Sequence, residues 1–417
     1  MRREGIIIGA GASGLAAAVA AAEAGASVTL LEHMAGVGKK LLSTGNGKCN
    51  LTNLHLMADC YHCRDGEFAM EVLKTMPPEA VLAFFRRLGI VTTEKNGYVY
   101  PASGQAKTVL RALKGRVDEL GVRTVLECKV HSVTKKGTGF TVNTDQGRFD
   151  GWFVILAAGS MAAPSTGSDG SGYALARSLG HRIKKPLPAL VQLRCGGDFF
   201  RQVAGVRTEA CVSLYTVGKA GELETFLASD RGELQLTDYG ISGIPVFQVS
   251  RYASIALDRC KRVAAVVDFF PLASVEEFET LLKEQRTLLP KRRAAVFLDG
   301  MFHEKLAVLF LKAAQIKPDQ LVESITDRRL SGLCQVIRHA VFMVEGTNPF
   351  DKAQVCTGGV RLGEVKRETL ESKLVPGLYF AGEILDVDGI CGGYNLQWAW
   401  ASGCLAGKSA AKGEANT

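Results

Sequence analysis

Downstream of its first segment the chain has no run of about eighteen uninterrupted strongly apolar residues, so it offers no candidate for a membrane-spanning helix. It also lacks a repeated pattern of paired cysteines. Eleven are scattered over 417 residues, an odd number without paired spacing, which suits reduced thiols in a cytoplasm better than a disulfide framework. Cys60-Tyr-His-Cys63 is a lone pair with no matching downstream Cys/His pair to complete a structural zinc site. Cys49 has no second cysteine a few residues away, which argues against dithiol chemistry. No catalytic triad and no metal-ligand cluster stands out. Charge of one sign is not extreme either: 50 Lys and Arg against 42 Asp and Glu leave +8. The basic clusters Lys291-Arg-Arg293 and Arg328-Arg329 are local and carry no interleaved aromatics for stacking bases, so they read as solvated faces. Met1-Arg-Arg followed by an alanine-rich stretch imitates a secretory signal. Four glycines and Glu23 interrupt it, and it runs straight into a second strand, so a cytoplasmic N-terminus is expected.

What is present is glycine in two informative places. Ile6, Ile7 and Ile8 make a short β-branched run of the kind buried in parallel sheets. Gly9-x-Gly11-x-x-Gly14 then turns into Leu15 to Glu23, a stretch rich in helix formers. Gly9 permits the tight turn, Gly11 lets the backbone approach a pyrophosphate, and Gly14 lets helix and strand pack closely. The free N–H groups at the helix start face phosphate oxygens. Val28 to Leu31 is the second strand, and Glu32 at its end is placed to accept ribose hydroxyls. Strand, glycines, helix, strand and acid in register predict a dinucleotide-binding unit.

The second glycine-rich place is near the other end. Leu378-Tyr-Phe-Ala-Gly382 reads as a strand, followed by Glu383 and Asp386, and Gly389 to Asn395 leads into a helix over 396–411. A dinucleotide has two ends, and a chain that offers one glycine-rich motif for each points to a flavin and to redox chemistry. The N-terminus of that last helix would face the flavin ring, where partial positive charge favours the reduced anion.

Between them, Gly36 to Asn53 is too polar and glycine-rich for a core element. Lys39, Lys40 and Lys48 can neutralise phosphate, and Asn46, Asn50 and Asn53 can hydrogen-bond ring edges. A helix is predicted over 107–120, strands over 122–133 and 139–143, a buried strand over 149–156 that ends in Ala157-Ala-Gly159, and a helix over 174–179 opened by Ser165 to Tyr173. From about Pro188 the pattern changes. Strand-like pieces at 189–193, 210–215 and 232–236 precede helical stretches at 274–288, 303–314 and 333–339. The expected division is 1–187 and 346–417 for the dinucleotide domain, with 188–345 inserted on the substrate side.

Ser43 to Asn53, Cys356-Thr-Gly-Gly-Val360 and Gly382 to Trp400 together resemble the aminoacetone-oxidase/BaiN flavoprotein family, essentially end to end. The family pattern often has arginine where this chain has Lys48. The resemblance implies an α/β fold: a glutathione-reductase-type Rossmann FAD domain with inserted β-barrel and helical subdomains. It also implies FAD contacts at Gly11, Ser13, Gly14, Glu32, Lys39, Lys40, Gly45, Asn46, Val130, Gly382, Glu383, Asp386, Tyr394, Asn395 and Leu396. The family includes a bile-acid-pathway reductase of 3-oxo-Δ4,6 intermediates and oxidases of small amines. The leading expectation is therefore reduction of a C=C bond conjugated to a ketone, with hydride passing from flavin to the β-carbon and NADH or NADPH as electron donor. The alternatives are an aminoacetone-type oxidase that makes peroxide and an RNA-associated flavoprotein. A small-molecule substrate and no nucleic-acid partner are expected, with Tyr98, Tyr100 and Tyr394 as candidate hydrogen-bond donors.

Overall fold

A computed structural model describes residues 3–63 and 65–413. The chain divides into two compact units, one made of residues up to Leu187 and from Gln354 onward, the other of Pro188–Ala353.

The first unit is built on a five-stranded sheet of β1 (Glu4–Ile8), β2 (Ser27–Leu31), β3 (Arg123–Val125), β4 (Phe153–Leu156) and β5 (Leu378–Phe380), in the order β5-β4-β1-β2-β3. Every neighbouring pair is parallel. Ile6 to Ile8 and all four residues of β4 are buried, as strands covered on both faces must be. The helix Ala12–Glu23 follows β1, and it is buried from Ser13 to Ala21 because the C-terminal helix Tyr394–Lys412 lies against it. The contact is backbone-close. A Cβ on Gly403 would sit 2.4 Å from the Ser13 carbonyl oxygen, and one on Gly407 the same distance from that of Ala17. Alanines on one helix and glycines on the other are what allow it.

Two expected strands are each divided. The stretch 149–156 breaks at Gly151-Trp152: Gly147–Gly151 pairs antiparallel with Gly139–Thr144, and Phe153–Leu156 enters the parallel sheet. The stretch 122–133 breaks at Glu127, whose φ of 51° turns the chain from β3 into the separate strand Val130–Lys136. Helices Gly66–Lys74 and Pro78–Arg87 complete the unit and were not foreseen.

The second unit contains a closed six-stranded barrel of Leu193–Cys195, Gly240–Gly243, Leu223–Thr237, Arg207–Val217, Arg262–Asp268 and Ala340–Thr347. The last of these strands carries the unit past the expected limit at 345. Ala340–Thr347 pairs with Arg262–Asp268 and Leu193–Cys195, so the chain returns to the first unit at Gln354. The helix Ile244–Asp258 packs on the barrel strands, and helices Val275–Leu288, Glu304–Ala313 and Asp327–Arg338 share a core of Phe278, Leu282, Phe310, Leu330 and Ile337. Among the described residues no helix is long and apolar enough to cross a membrane.

Candidate flavin-binding site

The carboxyl ends of β1, β2 and β4 open into a cleft in the first unit of about 1270 Å³ including its mouth. Such crevices are where parallel α/β sheets bind ligands. Its floor is the turn from β1 into the first helix. Gly9 has a φ of 100°, and a Cβ there would meet Ala157 and Ala158 backbone at 2.6–2.8 Å. A Cβ on Gly14 would lie 1.8 Å from the Gly9 carbonyl oxygen. Gly11, by contrast, lines the cleft, and a Cβ on it would meet no protein atom within 4 Å. The first helical bond, from the Leu15 N–H to the Gly11 carbonyl at 2.9 Å, leaves the N–H groups before it without intrahelical acceptors. Free N–H groups at a helix start beside an open glycine turn can cradle a phosphate-bearing ligand.

Glu32 follows β2 and is nine-tenths buried. Its Oε2 accepts from the Ala10 N–H and its Oε1 from the Met34 N–H, both at 2.9 Å. The carboxylate thus ties the glycine turn to the next loop, and each oxygen keeps a lone pair for a hydroxyl. His33 beside it lines the cleft, and its Nε2 is buried without a hydrogen-bond partner. Sequence reasoning did not mark His33, although its place directly after the ribose acid was a signal.

On the far side, Lys40 Nζ donates to Glu383 Oε2 at 2.6 Å. Glu383 Oε1 accepts from Ser160 Oγ at 2.8 Å and from the Cys356 N–H at 3.0 Å. One carboxylate therefore gathers three separated segments of the chain at the cleft wall. Burial pushes the Cys356 thiol up to about 11 and Cys49 up to about 12, so neither is a thiolate at neutral pH.

Of the residues singled out in the sequence, Gly11, Ser13, Glu32, Lys39, Lys40, Val130, Glu383, Asn395 and Leu396 line this cleft. The others lie elsewhere. Gly14 and Gly382 serve close packing, since a Cβ on Gly382 would sit 2.3 Å from Ser13 Oγ. Gly45 and Asn46, at φ of 55° and 53°, form an exposed left-handed turn just after cleft-lining Thr44. Asp386 is buried and bound by Lys184 Nζ at 3.0 Å from both carboxylate oxygens. The Tyr394 hydroxyl donates to the His55 carbonyl at 3.0 Å, and its carbonyl accepts from Tyr61 at 2.9 Å. Asn395 closes its own loop, with Oδ1 accepting from the Gly389 N–H and Nδ2 donating to the Gly389 carbonyl, both at 2.8 Å. Thr166 to Ser168, Gln354, Val355 and Trp398 line the cleft without having been assigned.

A parallel sheet with a phosphate cradle at one end, a buried acid beside it and the second terminus closing the wall defines the class, a Rossmann-type FAD-binding fold. The chain belongs to the family described as HI0933-like protein Rossmann domain, whose model matches residues 3–409. It is 44% identical over 414 residues to the 3-dehydro-bile acid delta(4,6)-reductase of Clostridium scindens, covering 99% of this chain and 100% of that one. It is 30% identical to the ribosomal RNA dihydrouridine synthase of Haemophilus influenzae over 96% of each chain. Among solved structures, the open conformation of a flavocytochrome c3 fumarate reductase matches with a TM-score of 0.50 at 16% identity, over 99% of this chain and 78% of that one, a likeness of fold.

Proposed function

We propose that this chain binds FAD noncovalently in the cleft and uses it to saturate a carbon–carbon double bond conjugated to a ketone, with 3-oxo-Δ4,6 bile-acid-type compounds as substrates. Gly11, Ser13 and the first-turn N–H groups would hold the pyrophosphate, Glu32 the adenosine ribose and Val130 the adenine side. Lys39, Lys40, Glu383 and the turn at Asn395 and Leu396 would hold the flavin half. When bound and reduced, the flavin supplies hydride. The chain's own contribution is to orient both partners and to polarise the substrate carbonyl. Tyr98 and Tyr100 are the donors proposed for that task, because the Tyr394 hydroxyl already donates to His55. Burial raises the Tyr100 pKa, which keeps its phenol protonated as a donor must be.

The observation that carries this reading is the end-to-end likeness to the bile acid reductase at 44% identity. A second reading, reduction of a uridine base in RNA, is favoured by the relatives named ribosomal RNA dihydrouridine synthases. Both names describe saturation of a double bond conjugated to a carbonyl group, so the chemistry is common and the substrate separates them. The test is anaerobic turnover with NADH, NADPH or chemically reduced enzyme, offered a 3-oxo-4,6-diene bile acid or a ribosomal RNA transcript. Gain of two hydrogens by the steroid is expected. Gain of two hydrogens by a uridine with an inert steroid moves the assignment to RNA, and peroxide from aminoacetone with neither moves it to an oxidase.

A further inference from the structure

The two basic clusters that stand apart in the sequence, Lys291-Arg-Arg293 and Arg328-Arg329, are neighbours in the second unit. Two short stretches bring them together. The Val322 N–H donates to the Arg292 carbonyl at 2.9 Å and the Ala294 N–H to the Gln320 carbonyl at 2.8 Å. Arg293 and Leu321 oppose each other in an antiparallel bridge, so their side chains leave from the same face. The helix Asp327–Arg338 begins beside this ribbon, where Arg329 Nη1 donates to Gln320 Oε1 at 3.4 Å. The end of the helix Val275–Leu288 adjoins it too, since the Arg292 N–H donates to the Leu289 carbonyl at 3.1 Å.

Lys291, Arg292, Arg293, Lys317, Arg328 and Arg329 are all exposed, and among the described residues none of them forms an ion pair. They outnumber the exposed acids of the same stretches, Asp319 and Glu323, because Asp327 is already held by Arg286 Nη2 at 2.7 Å. Aliphatic side chains stand among these cations: Leu288 is 70% exposed, Leu321 42% and Val296 41%. Neither 291–296 nor 317–329 contains an aromatic residue on which a base could stack. Unpaired cations call for an anionic partner, and exposed leucines beside them call for an apolar phase behind the charge. A bilayer with anionic headgroups supplies both, whereas a nucleic acid supplies only the first.

We propose that this face docks the protein on anionic bilayers, with the arginines and lysines at the headgroups and Leu288 and Leu321 entering the boundary below them. Docking there requires no flavin.

Sedimentation of the full chain with vesicles of phosphatidylglycerol and phosphatidylcholine, and with vesicles of phosphatidylcholine alone, tests it. Binding to the anionic vesicles alone is expected, weakening as salt rises. A cation near the surface is worth about five-fold in affinity, so Arg293→Gln with Arg328→Gln, one from each cluster, is expected to lose about thirty-fold. Leu288→Ser is expected to lose about ten-fold. All three side chains are exposed, and an unchanged melting temperature certifies that the variants fold. Failure of wild type to bind anionic vesicles, or equal binding to neutral ones, overturns the proposal. So does undiminished binding by the folded arginine variant, or by Leu288→Ser, which would leave the leucine outside the bilayer. Binding of a ribosomal RNA transcript in place of vesicles overturns it as well and assigns the face to nucleic acid.

Discussion

Single carboxylates do much of the organising in the cleft. Glu32 holds the Ala10 and Met34 N–H groups at the wall of the cleft, where the proposed FAD would place its ribose. Glu32→Ala is expected to lower FAD affinity roughly ten- to hundred-fold, because it removes both the ribose acceptor and the fastening of the glycine turn. Equilibrium dialysis or retained flavin on gel filtration measures it. Gly14→Ala acts by crowding, since the new methyl would fall 1.8 Å from the Gly9 carbonyl oxygen. A loss of about 3 kcal/mol in denaturant unfolding is expected, as for an overpacked core. Gly11→Ala meets no such wall and is expected to leave apoprotein stability near wild type while weakening FAD binding. At this scale the sequence was legible in the local geometry of the turn at Gly9, Gly11 and Gly14, because the glycine spacing itself specifies it. At Asp386 the resemblance implied a cofactor contact, and nothing in the sequence signalled the ion pair that the fold adds. Only the fold reveals that Lys184, distant in sequence, takes both of its oxygens.

Among the elements, those written in short-range pattern were readable and those defined by distant pairing were not. The isoleucine run, the alanine helix and the strand before Gly382 each declare themselves within about ten residues. Closure of the barrel does not, because Leu193–Cys195 finds its place only by pairing with Gly240–Gly243 and Ala340–Thr347. The unforeseen helix Ile244–Asp258 did have a local mark, Pro245 in its first turn. The loop around residues 361–375 is fastened to the end of the helix Ser171–Ser178 by a buried cluster. His181 Nε2 lies 2.8 Å from Ser372 Oγ, and Glu364 accepts from the Arg182 backbone at 2.9 Å. Burial holds the His181 pKa below its ordinary 6.5 despite Glu364 nearby. The folded state therefore binds fewer protons than the unfolded one below about pH 6.5, and stability must fall as pH drops from there toward the folded value. Burial raises the Glu364 pKa, but hydrogen bonds and charge from Arg182 outweigh it and lower the net value, so this stabilisation is also lost in acid. Thermal melts over pH 7.5 to 5 should show this decline, and His181→Gln should flatten the part due to the histidine.

At the level of the whole molecule, two compact units have separate hydrophobic cores. The cleft lies wholly within one of them. Calorimetry of the full chain is expected to show two transitions, of which only the one belonging to the cleft-bearing unit rises with FAD. At free FAD one hundred times its dissociation constant, the stabilisation should be about 2.7 kcal/mol. A single transition, or two that move together, would count against independent units.

The sheet that carries the cleft is completed by β5, and the alanine helix is covered by Gly403 and Gly407 of the last helix. On the ribosome these pieces arrive after the whole barrel unit. The barrel unit, contiguous in sequence, can fold while synthesis is still under way. Residues 6–21 must wait, apolar and uncovered, until residues 378–412 have emerged. A nascent chain halted before Leu378 should hold a folded barrel and no complete cleft, and it should engage chaperones through residues 6–21.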